Sequence, residues 1–443
     1  MSLNRPKILV ISLDPVGIRM AGLGIRCTEI ARALSGNADV TLAAPGGDPN
    51  FSNGIEVLSF EPHAPEALRA PIASADLVLT QPQWPLVTTW LRESKARIVF
   101  DLYAPETLET MELAKGRRRV VAEAMVNATL DRLSDAFSVG DHFICASSRQ
   151  ADMWLGAMVA SRTLGMGPDR HLGPTRDLVD LVPFGITEAP TPIANGSIRA
   201  QFPSISGEDK IVLWNGGLWP WLDANGAVEA CGILSHRRDD VKLVFMGGSD
   251  SPVANESHAS AVALSRSLGL LGSEVFFNER WVPYEERGEW LAEADCAISL
   301  QHDHLETRFA FRTRLLDCLW AGLPAVCSSG DEMSSMLAAR GLASTVDSGD
   351  ISAAADALDR ELNAGRTERA HVFEDLRPSF TWSRAVEPIE RWSSLGPAGI
   401  SRRRPRRTLS HATRARTYRA LRPLLARYQR LRPGMDGAGQ ARS

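Results

Sequence analysis

The six cysteines, Cys27, Cys145, Cys231, Cys296, Cys318 and Cys327, include no C-x-x-C pair. Several sit in apolar runs, which argues against a disulfide frame and for the reduced core thiols of a cytosolic protein. No run approaches the roughly 18 apolar residues that a membrane span needs. The opening stretch, MSLNRPKILVISLD, is basic at its start, but its apolar run is broken by Asp14 and carries no cleavage site. It reads as a first strand and not as a signal peptide. A G-x-G-x-x-G phosphate fingerprint is also missing, so the glycines near the N-terminus are only a weak nucleotide signal.

What is present is length and an uneven charge. At 443 residues the chain exceeds one ordinary core, so two domains of Rossmann size are expected. A hydrophobic fraction of 44% with 23% charged residues describes a soluble globular protein. The net charge is −4, yet residues 397–443 hold 13 Arg against one acid, Asp436. That tail carries about +12, which leaves about −16 on residues 1–396. The body and the tail are built for different tasks.

Alternating strands and helices run through the body. Lys7–Ser12 is a strand, followed by a loop, by Gly22-Leu23-Gly24, and by a helix with Ile30, Ala31 and Leu34 on one face. Gly22 and Gly24 are candidate ligand-loop positions, with tight helix–strand packing as the alternative. Asp39–Ala43, Leu77–Thr80, Arg97–Asp101, Ile144–Ala146 and Leu181–Val182 continue the strands. Long helical stretches are expected over about Pro105–Leu133 and Arg149–Met158. Asp101 and Glu106 flank the end of a strand, where carboxylates face a ligand crevice. The alternatives are a turn role for Asp101 and a helix-start role for Glu106.

Pro190–Gly196 is rich in breakers and reads as a linker. Six more strands follow, at Ile211–Trp214, Lys242–Met246, Val275–Phe277, Ala297–Leu300, Ala325–Cys327 and Ser344–Val346. Helical patterns between them predict a second doubly wound sheet. Two strands end in double glycine, Gly216-Gly217 and Gly247-Gly248, which lets backbone N–H groups approach a phosphate. The most informative stretch is His302–Cys327, read as a polar loop, one helix, a Gly-Leu-Pro turn and a strand. It carries Glu306, Arg308, Arg312 and Arg314 near the start of a helix, where anions are attracted, and Asp317 as a lone carboxylate in the second half of that helix. A plain Arg314–Asp317 pair on an amphipathic helix is the alternative. His302-Asp303-His304 reads as a polar loop and not as a metal site.

Taken together, these motifs resemble the GT-B glycosyltransferases, and Ala297–Cys327 resembles the donor segment of the retaining family-4 group. Ala321-Gly322-Leu323-Pro324 matches that group's small-residue turn and puts Asp317 where its second glutamate belongs. Its first glutamate falls on Phe309, so that role passes to Glu306 or is vacant. Trp214-Asn215-Gly216-Gly217 resembles the first donor loop, but the usual Arg and Lys after it are replaced by Leu218-Trp219-Pro220-Trp221. Asp101-Leu102-Tyr103 stands where many members carry a histidine, Val182–Ile186 resembles the lead into the linker, and Phe380–Ser383 resembles the start of the returning helix.

The resemblance implies an α/β GT-B fold, two Rossmann-like domains facing a cleft, with residues 1–189 on the acceptor side and 197–378 binding the donor. It further implies a crossing helix over 379–396 and a basic tail over 397–443. The implied activity is retaining transfer of a sugar from a nucleotide-sugar to a lipid-linked or cell-surface glycan acceptor. No D-x-D triplet occurs, so metal and cofactor are not expected, and Arg312, Arg314 and the loops of Gly216, Gly217 and Gly248 face the diphosphate. Asp317 would hold the ribose, Glu306 the transferred sugar, and Asp101 would join Glu306 in catalysis. Alternatives are a non-catalytic GT-B subunit or an enzyme such as an epimerase that processes the nucleotide-sugar alone. Residues 401–432 alternate Arg with Tyr418, Leu421, Leu424, Leu425 and Tyr428, interrupted by Pro423. That pattern predicts a basic amphipathic anchor on the anionic, cytoplasmic face of a membrane, with no nucleic-acid partner.

Overall fold

Runs such as Ile8-Leu9-Val10-Ile11, in which every residue is buried, form strands covered on both faces, and such strands belong to parallel sheets. A computed structural model describes residues 5–48, 51, 54–161, 178–247 and 252–398. The Arg-rich segment 401–432 and Gly248 lie outside the described residues. Contacts divide the chain into two units. One holds the residues up to Phe184 and again from Trp382; the other is Gly185–Thr381.

The first unit is built on a parallel sheet of seven strands. In chain order they are β1 (Lys7–Ile11), β2 (Asp39–Pro45), β3 (Glu56–Phe60), β4 (Leu77–Thr80), β5 (Arg97–Asp101), β6 (His142–Cys145) and β7 (Val179–Leu181). The spatial order β3-β2-β1-β4-β5-β6-β7 reverses direction at β1, which pairs Ile8 with Val40 on one side and with Leu77 on the other. One strand escapes the sequence reading. β3 is an edge strand in which only Phe60 is buried, so it has neither an apolar run nor a clean alternation. The long helix expected over Pro105–Leu133 is two helices, Glu106–Leu113 and Arg119–Val139, parted where Gly116 takes φ +74°. Phe100 and Phe143 stack in the core, ring centroids 6.2 Å apart. Helix Glu387–Ser393 belongs to this unit: Trp392 stacks on His142 at 4.3 Å, and Arg391 reaches Asp180 at 2.7 Å.

The second unit has six parallel strands: β8 (Lys210–Trp214), β9 (Val241–Phe245), β10 (Val275–Phe277), β11 (Cys296–Ser299), β12 (Ala325–Ser328) and β13 (Ala343–Val346). Their order, β10-β9-β8-β11-β12-β13, reverses at β8. Its core gathers Trp214, Phe245, Ile298, Val326 and Leu358, and Phe245 stacks on Phe277 at 4.5 Å. In doubly wound sheets, ligands lie beyond the carboxyl ends of the strands where the order reverses. Those places are the loops after β1 and β4 in the first unit, and after β8 and β11 in the second. Among the described residues, no helix is long and apolar enough to cross a membrane.

Candidate functional site

At the carboxyl end of β8 the chain runs Asn215-Gly216-Gly217. Gly216 takes φ +143°, which side-chain-bearing residues rarely adopt, and a Cβ there would stand 3.3 Å from Arg314 Nη2. Gly247, after β9, backs onto Gly216: a Cβ on it would lie 3.9 Å from the Gly216 carbonyl carbon. The loop after β8 then crosses to β11, where Leu222 bridges Gln301 and the His302 N–H donates to the Trp221 carbonyl at 3.2 Å. One edge thus gathers the β8, β9 and β11 loops.

The single helix expected after β11 is two, Leu305–Phe309 and Thr313–Ala321, with Ala310 extended at ψ 151° between them. The break has a physical reason. Residues six apart on a continuous helix point in different directions, yet Glu306 and Arg312 meet here. Arg312 Nη2 donates to Glu306 Oε2 at 2.9 Å and Nη1 to Oε1 at 3.4 Å, with both residues buried. Thr307 Oγ1 adds a bond to the His302 carbonyl at 2.9 Å.

Three arginines approach this edge, and they differ in what balances them. Arg312 is neutralised by Glu306. Arg287 donates through Nε to Asp317 Oδ1 at 3.0 Å, with its guanidinium 3.5 Å from the Tyr284 ring centre and 4.7 Å from that of Trp320. Arg314 has no carboxylate. Its Nη2 donates to the Gly217 carbonyl at 2.9 Å, its guanidinium lies 5.1 Å from the Trp214 ring centre, and Nη1 is buried with no hydrogen-bond partner. Burial lowers its pKa to about 10, with repulsion from Arg312 acting in the same direction. It therefore stays charged at neutral pH. Two further buried donors in this cluster, Trp214 Nε1 and Arg312 Nε, also lack partners. Unpaired donors around an unbalanced cation make a cradle for an anion.

Several expectations need correcting. The Arg314–Asp317 pair does not form, because Arg287, from a helix about thirty residues earlier, takes Asp317. Nothing in the sequence links those two positions, and Arg287 carries no motif that would single it out. Arg308 is exposed, and the carboxylates of Glu306 and Asp317 pair with Arg312 and Arg287 instead, so it stands apart from the cluster. His304 Nδ1 lies 3.8 Å from Glu306 Oε2, while His302 and Asp303 are exposed. Among the described residues, no group of three His, Cys, Asp or Glu side chains is arranged to hold a metal ion.

In the first unit, Asp101 is not an open carboxylate. Arg26 Nε and Nη2 grip its two oxygens at 2.7 and 3.0 Å, and Arg26 also donates to the carbonyls of Val182 and Pro183. Both side chains are buried, so the pair ties the helix Gly22–Ser35 to β5 and to the chain leaving β7. Glu106 pairs with Arg132 across the two helices; burial raises its pKa and Arg132 draws it back down. Gly24 is a packing glycine, since a Cβ there would meet the Pro15 carbonyl at 2.5 Å, whereas Gly22 has open space around it. A residue the sequence did not single out is Asp14, just after β1. Burial raises its carboxyl to about 6, and no side chain balances it. Beyond β4, Gln81 Oε1 is likewise buried without a partner. Only a loop acid interrupting an apolar run hinted at Asp14.

No family model matches the chain, and no curated protein matches it. Solved structures do. Sucrose-phosphate synthase from Thermosynechococcus elongatus superposes with a TM-score of 0.65 at 17% identity, over 88% of this chain and 99% of that one. WaaG, a glycosyltransferase involved in lipopolysaccharide biosynthesis, gives 0.62 at 15% identity, over 88% and 99%. Anabaena HepE in complex with UDP gives 0.55 at 13% identity, over 95% and 100%. At these identities the likeness is one of fold, and the fold is GT-B, with two parallel sheets of seven and six strands.

Proposed function

We propose that this protein is a glycosyltransferase that takes its sugar from a nucleoside-diphosphate sugar held at the β8–β11 edge of the second unit. The carrying observation is Arg314, a cation at a ligand edge with no carboxylate to balance it and with a buried Nη1 that has no acceptor. A leaving diphosphate supplies the missing charge and acceptors. HepE, of the same fold, is recorded in complex with UDP and with UDP-glucose, which supports this class of donor. In this reading Gly216, Gly217 and Gly248 let the backbone approach the phosphates, Asp317 accepts from the ribose, and Glu306 accepts from the transferred sugar. Transfer proceeds with retention and without a metal, charge being met by arginine and backbone N–H groups. At the acceptor edge, Asp14 is the carboxyl left unbalanced, and Asp101 is a structural ion pair. The acceptor is a lipid-linked or surface glycan, met on the cytoplasmic membrane face, where the Arg-rich segment 401–432 attaches.

Titration calorimetry of the full chain with UDP, dTDP, GDP and the matching nucleosides tests the donor site. One diphosphate should bind, and Arg314→Ala should weaken it by about 1.5–3 kcal/mol while leaving the nucleoside nearly unaffected. Equal binding of parent and variant would remove Arg314 from the site. Because arginines occupy both Glu306 and Asp317, a nucleotide-sugar-binding subunit without transfer is the second reading. Incubation of donor with an extract of acceptor lipids separates them, since only an enzyme yields a glycosylated product.

A further inference from the structure

Three tryptophans stand close together in the chain at the end of β8, and the fold treats them differently. Trp214 is fully buried in the core of the second unit. Trp219 and Trp221, in the uncharged run Leu218-Trp219-Pro220-Trp221, only lean on that core and stay partly buried. Their rings are parallel, at 0°, with centroids 5.2 Å apart, which is an offset stack. The stack covers one face of each indole, and each ring keeps surface open to solvent. Backbone bonds fix the pair on both sides. The Leu222 N–H donates to the Trp219 carbonyl at 2.9 Å and closes a turn around Pro220. The His302 N–H donates to the Trp221 carbonyl at 3.2 Å, and the Asp223 N–H to the Leu300 carbonyl at 3.0 Å. Asp223 then caps helix Ala224–Ser235, accepting from the Gly226 N–H at 2.8 Å. A surface held in this way has little freedom left to lose when a ligand settles on it.

Gly217 sets where this surface lies. A Cβ on Gly217 would stand 3.4 Å from Trp219 Nε1, and the Gly217 carbonyl accepts from Arg314 Nη2 at 2.9 Å. The indole edge and the unbalanced guanidinium thus flank one residue, so an anion beside Arg314 has the indole as its neighbour. In a nucleoside-diphosphate sugar only two rings are joined directly to the phosphates, the ribose and the transferred sugar; the base lies one ring further out. With the ribose at Asp317, the ring left for Trp219 is the sugar. A pyranose offers a face of C–H groups rimmed by hydroxyls. Those weakly positive C–H groups suit the negative face of an indole, and covering them removes apolar surface from water.

We infer that Trp219, backed by Trp221, is a specificity-determining residue that stacks on the C–H face of the transferred pyranose, so that the site prefers a sugar-linked diphosphate to the bare one. The inference rests on the donor reading above. Titration calorimetry of the full chain compares UDP with UDP-glucose and UDP-galactose, GDP with GDP-mannose, and dTDP with dTDP-rhamnose. In the parent, one sugar-linked form should bind about tenfold more tightly than its own diphosphate. Trp219→Ala should bring that ratio to about one while the bare diphosphate binds as before, and Trp219→Phe, which keeps a flat ring, should retain most of the preference. Should the alanine variant not fold, Trp219→Leu, with apolar bulk and no flat face, is measured in its place. A ratio unchanged by the loss of the ring overturns the inference and leaves the donor site standing. So does a parent that binds a diphosphate equally well with and without its sugar. A variant in which the bare diphosphate weakens by the same factor puts Trp219 on the phosphates, and the inference again fails. A parent that binds no diphosphate removes the donor reading and this inference together.

Discussion

The carboxyl edges of the two sheets carry similar charge arrangements with opposite signs. Each anchors a buried Arg–carboxylate pair beside a switch point, Arg26–Asp101 in the first unit and Arg312–Glu306 in the second. Each also leaves one ionisable group unbalanced. In the first unit that group is an acid, Asp14, with its carboxyl raised to about 6; in the second it is a base, Arg314, lowered to about 10. Burial moves both toward neutrality, and it is the absence of a partner that allows the movement. The paired groups hold the loops in place, and the unpaired ones have interactions still to make.

Breaking the pairs should produce the largest effects. Arg26→Ala strands a carboxylate that is almost fully enclosed, and Arg312→Ala strands Glu306 in the same way. Each should cost about 3–5 kcal/mol in denaturant unfolding. Replacing both members, as in Arg26→Met with Asp101→Leu, should recover much of that loss. If Arg26→Ala unfolds at the parent's denaturant midpoint, the pair is not a structural tie.

Arg314 should behave in the opposite way. Its removal takes away a cation that nothing balances, so Arg314→Ala should melt at or above the parent temperature while losing diphosphate affinity by about 1.5–3 kcal/mol. A stability loss matching that of Arg312→Ala would erase the distinction between paired and unpaired arginines.

Which parts of this were legible in the sequence follows from the range of the forces involved. Buried parallel strands such as β1, β4, β8 and β11 are local apolar runs and can be read directly, whereas the edge strand Glu56–Phe60, with one buried residue, cannot, and β7 (Val179–Leu181) shares only Leu181 with the strand expected at Leu181–Val182. The glycines after β8 are legible because positive φ and close approach demand glycine at Gly216. Charge pairing is not, because it is decided by chain segments far apart: Arg287 with Asp317, and Arg26 with Asp101, 75 residues away. The break between Leu305–Phe309 and Thr313–Ala321 was hidden for the same reason, since an apolar period continues across it while the Glu306–Arg312 bond bends the chain. Arg314 could be picked out as a candidate; that it alone of the three stands without a carboxylate could not.

Asp14 gives a smaller effect with a definite sign. A carboxyl whose pKa rises from 3.8 to about 6 on folding is held better protonated than ionised. Its proton-linked stability is fully present below pH 3.8 and is lost as the pH rises through about 6. Asp14→Asn should flatten that part of the stability profile and gain about 1–2 kcal/mol at pH 7, the full linkage being reduced by partial exposure. A profile unchanged between pH 4 and 6 would mean that Asp14 is already balanced by a group from solvent or ligand.

The smallest effect is expected at Asp317, where the two roles of one side chain can be separated. Arg287 holds Oδ1, and Asp317 keeps 26% of its side chain exposed, so water partly replaces what Asp317→Asn takes away. Stability should fall by no more than about 1 kcal/mol. The rings of Tyr284 and Trp320 still cover the Arg287 guanidinium in the variant and limit the loss further. Nucleoside affinity is the sharper readout. A carboxylate accepts from both hydroxyls of a ribose, whereas the amide keeps one acceptor and adds a donor. Asp317→Asn should therefore weaken binding of the ribonucleoside diphosphate and leave its 2′-deoxy analogue less affected. If both nucleotides lose the same affinity, or neither loses any, Asp317 serves only Arg287, and the ribose is held by other groups.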